Sequence, residues 1–164
     1  MLNLKIRHEI RPGDIGFIIY LHGILYSREK NYDLTFEAYV AHGLLQFVHN
    51  YNPYRDRLWL AENNGQIIGC IAIVRTTKEE AQLRWYLVQP DFRRQGIGKQ
   101  LLGEALNFCR EKKYKNVFLW TTSELTGASH IYAQAGFKKK ETKSHKVWGK
   151  QLIEERYDLI LIPE

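Results

Sequence analysis

Glycines and cations stand together just before an apolar helical pattern, in the stretch from Gln89 to Leu102. The loop within this stretch consists of Arg93, Arg94, Gln95, Gly96, Ile97, Gly98 and Lys99. A helix N-terminus exposes unpaired N–H groups and about half a positive charge, which favours an anion there. Glycine has no Cβ, so the backbone can approach a ligand closely. The spacing therefore predicts a loop that binds phosphate.

Two common phosphate-binding motifs do not fit this loop. A dinucleotide fingerprint needs a third glycine and an acidic residue about 20 positions further on, and neither is present. A nucleoside-triphosphate loop needs a four-residue gap between its glycines and a Ser or Thr after the lysine, whereas this chain reads Gly-Ile-Gly-Lys-Gln. Taken alone, the two glycines also fit an ordinary turn before a surface helix, with two solvated arginines.

The periodicity of the chain predicts the elements that position this loop. Two helices follow the expected N-caps Asp14 and Asp33. Their apolar faces are predicted as Ile15, Ile18, Ile19, His22 and Leu25 in the first helix, and Leu34, Ala38, Ala41, Leu45 and Val48 in the second. Two further helices are predicted after the glycines and over residues 126–135.

Strands are predicted between these helices, and one of them reads as nearly continuous apolar residues. Their ranges are 4–8, 58–62, 66–75, 81–88, 116–121, 137–147 and 152–161, with a hairpin turn at Asn63-Asn64-Gly65. An apolar strand such as 66–75 is typical of a sheet covered on both faces. The order β α α β β β α β α β β therefore predicts an α/β fold, with helices covering a mixed sheet, in a single domain of residues 1–164.

Composition narrows the class of protein but does not choose a ligand. The 45% hydrophobic and 26% charged residues are typical of a globular protein. No apolar run approaches a membrane span and no signal-peptide core opens the chain, so we expect a cytoplasmic protein without a membrane partner. The net charge of +6 fits nucleic acid, a phosphorylated cofactor or plain solubility. Because the basic residues are scattered, nucleic acid is not the expected partner.

The cysteines and histidines give no sign of a metal centre. Cys70 and Cys109 lie in apolar runs, which favours buried thiols over a disulfide or a metal pair. The histidines show no paired spacing of the kind that binds zinc. We therefore expect no metal.

Residues 58–137 resemble the GNAT superfamily of acetyl-CoA-dependent N-acetyltransferases. The phosphate loop of that family reads Arg/Gln-x-x-Gly-x-Gly/Ala, and Arg93 to Gly98 matches each defined position. A later family signature, Tyr-x-x-x-Gly-Phe, is matched by Tyr132, Gly136 and Phe137. The closing stretch from Trp148 to Leu159, with Arg11-Pro12-Gly13-Asp14, is similar to the acetyltransferase half of MarR-type regulator fusions. No winged-helix segment precedes residue 1, so we expect a stand-alone version without a DNA-binding role.

The resemblance implies a fold, a cosubstrate and a set of contacts. The GNAT fold has a mixed, mostly antiparallel sheet of about seven strands with a parallel splayed pair, flanked by about four helices. Acetyl-CoA would place its pyrophosphate on the backbone amides from Arg94 to Lys99. Its pantetheine arm would lie in the splay, against the main chain of Leu87 and Val88. Tyr132 would donate a proton to the departing sulfur, whereas Leu125 stands where many relatives carry an Asn that binds the arm.

The acceptor is expected to be a primary amine, on a small molecule or on a protein. Glu29 is the predicted general base, because the resemblance places it on the acceptor side and Tyr26 and Tyr32 flank it. Water is the alternative proton acceptor, and Glu62, Glu79 and Glu80 are further carboxylates. Tyr26 and Trp120 are predicted to line the acceptor pocket, and packing in the core is the alternative for Trp120. Homodimers are frequent in the family, and the alternative function is a non-catalytic sensor that binds acyl-CoA.

Overall fold

The computed structural model describes residues 1–162 and contains a seven-stranded sheet with two helices packed on each face. The strands are β1 (Leu4–Arg7), β2 (Arg57–Asn63), β3 (Gln66–Arg75), β4 (Glu80–Val88), β5 (Asn116–Thr122), β6 (Lys138–Val147) and β7 (Lys150–Ile160). The helices are α1 (Asp14–Lys30), α2 (Leu34–His49), α3 (Ile97–Glu111) and α4 (Thr126–Gln134), with a short 3-10 helix at Pro90–Phe92. The last two residues of the predicted domain lie outside the described residues.

The predicted order of strands and helices is confirmed, and so is the mixed sheet. The strands lie in the order β1-β2-β3-β4-β5-β7-β6. Only β4 and β5 pair in parallel, while every other neighbouring pair is antiparallel. Parallel strands need a crossover connection, and here α3 lies in the connection between β4 and β5. None of the helices within residues 1–162 is long and apolar enough to cross a membrane.

Two hydrophobic cores lie on opposite faces of the sheet. One core packs α3 and α4 against the sheet around Leu101, Ala105 and Leu119. The other packs α1 and α2 around Ile18, Leu44 and other apolar residues. Strand β3 is buried on both faces, as its apolar run predicts. Cys70 and Cys109 are free and buried, one in each core.

The predicted apolar face of α2 is wrong. Leu34 and Leu45 on that face are 75% and 51% exposed, and Val48 is exposed as well. The buried face carries Phe36, Val40, Gly43, Leu44 and Phe47 instead. Aromatic packing sets this orientation, because the Phe36 ring centroid lies 4.8 Å from that of Trp148 and Phe47 lies 5.7 Å from Trp85. Two large rings gain more from burial than the aliphatic residues on the other face.

The predicted N-cap of α1 is also wrong by one position. Gly13, with a left-handed φ of 95°, is the N-cap, and Asp14 is the first helical residue. The Asp14 carboxylate accepts hydrogen bonds from the Arg11 amide at 2.7 Å and from the Arg7 guanidinium at 2.8 and 2.9 Å. Arg7 also pairs with Glu62 on β2. Asp14 therefore ties β1 and β2 to the start of α1.

This cluster of charges is nearly inaccessible to water. The side chains of Arg7, Asp14 and Glu62 are 9%, 8% and 11% exposed. Burial raises the pKa of Asp14, but hydrogen bonds from Arg7 and the Arg11 amide outweigh burial and lower the pKa overall. A depressed folded-state pKa contributes stability above the unfolded-state pKa. That contribution is lost as the pH falls through the folded-state value.

We predict that Arg7→Met destabilises the protein by about 3 kcal/mol, because it leaves two buried carboxylates without a cation. The matched control is Arg11→Met, which removes an arginine whose partner Glu9 is 72% exposed and should cost less than about 1 kcal/mol. Urea denaturation at neutral pH measures both values. Equal, small losses in the two variants would contradict a structural role for the buried cluster.

Candidate active site

The parallel pair β4 and β5 separates partway along its length. Pairing covers only Glu80 with Asn116, Ala81 with Val117 and Gln82 with Phe118. Beyond these residues both strands continue, to Val88 and Thr122, without pairing to each other. The facing backbone groups of the two strands are therefore open to a ligand with an extended polar backbone.

A β-bulge in β4 accompanies the separation. The β3–β4 register shifts between Cys70 and Ala72, and Trp85 adopts a left-handed φ of 50°. Such a backbone is strained for a bulky residue and persists only where its surroundings fix it. The Cys70 thiol donates to the Trp85 carbonyl at 3.1 Å. Burial raises the pKa of this thiol to about 12, so it remains a protonated donor.

The glycine loop lies between the end of β4 and the start of α3. Gly96 is the N-cap of α3 with a left-handed φ of 82°, and Arg94 has a φ of 62°. The first helical bond runs from the Gln100 amide to the Gly96 carbonyl, at 3.0 Å. Within residues 1–162, the N–H groups from Arg94 to Lys99 meet no protein acceptor. Alternating left-handed residues and a helix N-terminus form an anion-binding concavity.

Loop, strands and helices enclose one cleft of about 660 Å³. Predicted site residues that line it are Tyr26, Glu29, Leu87, Val88, Arg93, Arg94, Gly96, Gly98, Lys99, Trp120 and Tyr132. Gln95 and Ile97 do not line the cleft, and the Ile97 side chain is buried in the core beneath α3. Any contact of these two residues with a phosphate would therefore come from their backbone amides.

Tyr132 reaches the cleft from α4. Its ring is 6% exposed and packs near Phe137, Tyr86 and Tyr157, with centroids 5.8, 6.1 and 6.2 Å away. Among the described residues, its hydroxyl has no hydrogen-bond partner. Burial, together with the neighbouring phenols, raises the pKa of Tyr132 well above its usual value. The hydroxyl therefore stays protonated at neutral pH, as a proton donor must be, and the same rise in pKa makes it a weaker acid.

Aromatic side chains gather where the α1–α2 loop meets the β6–β7 turn. The Tyr26 ring centroid lies 5.5 Å from that of Tyr32 and 4.7 Å from that of Phe36. Trp148 joins this cluster from the turn, 5.2 Å from Tyr32, and its carbonyl accepts from the Asp33 amide at 3.0 Å. These contacts hold the loop and the turn together at one end of the cleft.

Trp120 lines another part of the wall, on β5. The Lys143 ammonium lies 4.4 Å from the centroid of the Trp120 ring. A cation over an indole face is a favourable contact. Lys143 on β6 thus covers one face of the Trp120 ring, and Trp120 itself also lines the cleft.

Glu29 lines the cleft near the C-terminal end of α1, but both of its carboxylate oxygens are engaged. Arg93 donates to them at 2.7 and 2.8 Å. This bidentate hydrogen bonding lowers the pKa of Glu29, with only a partial offset from burial. A carboxylate with a lowered pKa is a weaker proton acceptor.

Two residues of this site escaped the sequence analysis. Tyr86 lines the cleft and its hydroxyl donates to the Gly98 carbonyl, and Trp148 forms part of the aromatic wall. Tyr86 lies in β4, and the alternation of side chains along a strand does not by itself indicate a function for it. Trp148 precedes Gly149 in a tight turn with both residues at positive φ, 54° and 85°. A bulky residue at such a turn position is a signal that sequence reading could have used.

The described residues contain no group of three or more His, Cys, Asp and Glu side chains that could hold a metal ion.

A model of the acetyltransferase (GNAT) family matches residues 25–137. This span contains the glycine loop, the separated strands and Tyr132. The chain belongs to the GNAT acetyltransferase family.

Individual relatives agree with this assignment. An uncharacterized N-acetyltransferase of Chlorobaculum tepidum is 30% identical over 116 residues, covering 68% of this chain and 72% of that protein. An uncharacterized N-acetyltransferase of Methanocaldococcus jannaschii is 34% identical over 92 residues, covering 52% of this chain and 41% of that protein. The chain thus spans about two fifths of the length of the first curated relatives it matches.

The fold extends beyond the region matched by the family model. A GNAT acetyltransferase of Elizabethkingia anophelis, solved with acetyl-CoA bound, superposes with a TM-score of 0.69. The superposition covers 97% of this chain and 99% of that one, at 21% identity. The GNAT architecture therefore includes β1 and the β6–β7 hairpin. GNAT acetyltransferases use acetyl-CoA as the acetyl donor, which fits a cleft that ends at a helix N-terminus with glycines and two cations.

We predict that Gly98→Ala weakens CoA binding about tenfold, which corresponds to ~1.4 kcal/mol. An added Cβ would lie 2.9 Å from the Tyr86 hydroxyl, so the loop or the tyrosine must move. Gly103→Ala is the matched control, because a Cβ there meets nothing within 4 Å on the same helix. Isothermal titration calorimetry with CoA measures both affinities. Equal affinities in the two variants would show that the Gly98 backbone geometry does not matter for binding.

Proposed function

We propose that residues 1–164 act as one acetyltransferase domain, which transfers the acetyl group of acetyl-CoA to a primary amine. The observation that carries this proposal is the run of N–H groups from Arg94 to Lys99, which meet no acceptor in the described part of the chain and lie at the mouth of the separated strands. These amides would bind the pyrophosphate, with Arg94 and Lys99 adding charge. The pantetheine arm would lie along β4 at Leu87 and Val88.

The proposed reaction proceeds by direct attack, without a covalent bond between the protein and the acetyl group. The amine attacks the thioester carbonyl, a tetrahedral intermediate forms, and the C–S bond breaks to give the amide and CoA. Binding both reactants in one cleft supplies proximity. A backbone N–H of the unpaired part of β4 would stabilise the oxyanion. Tyr132, whose protonated hydroxyl has no hydrogen-bond partner among residues 1–162, would donate a proton to the departing sulfur.

Water is the proton acceptor that the cleft favours. Each glutamate that lines the cleft has a basic partner: Glu29 pairs with Arg93, Glu124 with Lys150 and Glu154 with His145. His22 also lines the cleft, but its Nδ1 lies 2.8 Å from the Ile18 carbonyl. Burial lowers its pKa to about 4, which makes it a weak base. We therefore propose that water, in place of Glu29, accepts the proton that the substrate ammonium loses.

Tyr26 and Trp120 would contact the acceptor amine, with the aromatic cluster around Trp148 beside them. An aromatic wall of this kind suits an acceptor whose amine is attached to an apolar or cationic group. Small molecules and protein amines are both candidates. A thiol-release assay with a defined pool of primary amines, followed by mass spectrometry for a gain of one acetyl group, identifies the acceptor. The resemblance to the acetyltransferase half of MarR-type fusions adds no DNA-binding role to this proposal.

Acetyl-CoA should stabilise the protein against thermal unfolding. At about 100 times its Kd, a ligand that binds only the folded state contributes roughly 2.7 kcal/mol. Differential scanning fluorimetry with CoA and acetyl-CoA checks this expectation. The absence of a shift at saturating concentration would contradict the acetyltransferase function and the sensor function alike, whereas binding without thiol release from any amine would favour the sensor.

Tyr132→Phe should lower kcat by about 100-fold, the lower end for a general acid, because a thiolate is a good leaving group. The ring is retained, so CoA affinity and melting temperature should change little. Tyr157→Phe is the matched control, since it removes another phenol from the same aromatic group but does not line the cleft. Steady-state kinetics with the acceptor pool compare the two. Full turnover in Tyr132→Phe would remove the general-acid role.

A further inference from the structure

An ion pair joins α1 to the glycine loop across the mouth of the cleft. The Arg93 Nη1 and Nη2 atoms donate to the two Glu29 carboxylate oxygens at 2.7 and 2.8 Å. The arrangement is bidentate, in which the planar guanidinium and the carboxylate fix each other's orientation. It connects the end of the first helix to the first residue of the loop.

Arg93 is held at a second point by β4. Its Nε donates to the Val88 carbonyl at 2.9 Å. The guanidinium is therefore fixed at its tip by α1 and at its base by the last residue of the separated strand. Moving this side chain toward a bound phosphate would break all three hydrogen bonds. Arg93 thus connects α1, β4 and the glycine loop.

The same pair divides the charges of the loop into two groups. Glu29 neutralises Arg93, whereas Arg94 and Lys99 form no ion pair within residues 1–162. Two cations with free side chains and a row of unpaired amides remain for an anionic ligand. The pyrophosphate can bind without competing with Glu29, because Glu29 carries its own counter-ion.

We propose that Glu29 is a positioning residue for the acetyl-CoA loop, which it holds through Arg93 in the geometry that receives the pyrophosphate. This role rests on the proposed acetyltransferase function and replaces the role of general base. The side chains of Glu29 and Arg93 are 37% and 42% exposed, so the pair contributes little to global stability. Its loss should therefore appear in cofactor affinity and not in the melting temperature.

The test is a double-mutant cycle on CoA affinity, with Glu29→Gln, Arg93→Gln and the double variant. We expect Glu29→Gln to weaken CoA binding about fivefold in isothermal titration calorimetry, as loss of a well-formed ion pair does. The double variant should bind no more weakly than Arg93→Gln, because residues that act through one contact are not additive. Thiol release with the amine pool should show a raised KM for acetyl-CoA, with an unchanged kcat and pH profile.

Glu79→Gln is the matched control, since Glu79 forms an exposed pair with Lys115 at 2.6 Å and does not line the cleft. It should leave CoA affinity unchanged. A fall in kcat with a shifted pH profile in Glu29→Gln would restore the general base and overturn the positioning role. Additive losses in the double variant, or tighter binding by Glu29→Gln, would overturn it as well. Failure of the wild type to bind CoA would instead overturn the proposed function itself.

Discussion

Hydrogen bonding in the middle of the sheet is the constraint on which this structure depends. A buried strand normally satisfies its N–H and C=O groups with both neighbours. Strands β4 and β5 do so only as far as Gln82 and Phe118 and then separate. Packed cores cover both faces of the sheet, with α1 and α2 on one face and α3 and α4 on the other. The gap leaves facing backbone groups of β4 and β5 unpaired with each other, and the amide-bearing arm of the proposed acetyl-CoA would satisfy them.

The bulge in β4 connects this gap to the glycine loop. Before the bulge, Ala81 and Leu83 face the core beneath α3, whereas Trp85 and Leu87 after it face α1 and α2. The extra residue thereby shifts the alternation, and Tyr86 packs on the α3 side. There its hydroxyl bonds to the Gly98 carbonyl in the first turn of α3. One irregularity in β4 therefore connects the separation of β4 from β5 to the first turn of α3, where the proposed phosphate site lies.

Patterns within short stretches of the sequence predicted those features of the fold that interactions between nearby residues determine. The glycine loop, the hairpin at Asn64-Gly65 and the order of elements follow from turn chemistry and periodicity, and the structure contains all of them. The buried face of α2 could not be predicted in this way, because contacts of Phe36 with Trp148 choose it from a distant turn. The pair between Glu29 and Arg93 is equally invisible, since periodicity relates residues only within one element. Glu29 lines the cleft, but the engagement of its carboxylate by Arg93 appears only in three dimensions.

Local charge, and not the net charge of +6, determines which ligand this site suits. Five of the 24 lysines and arginines lie on β6 at the edge of the sheet, where Lys139 pairs with Glu155 and lysines also discourage pairing with another strand. In the loop, Glu29 removes one of the three cations. In the proposed site, the remaining selectivity would come from the backbone N–H groups that meet no acceptor within residues 1–162, which act at short range and in fixed directions. Scattered surface charge attracts any polyanion, whereas a row of amides beside an open strand favours a compact phosphate joined to a narrow, amide-bearing chain.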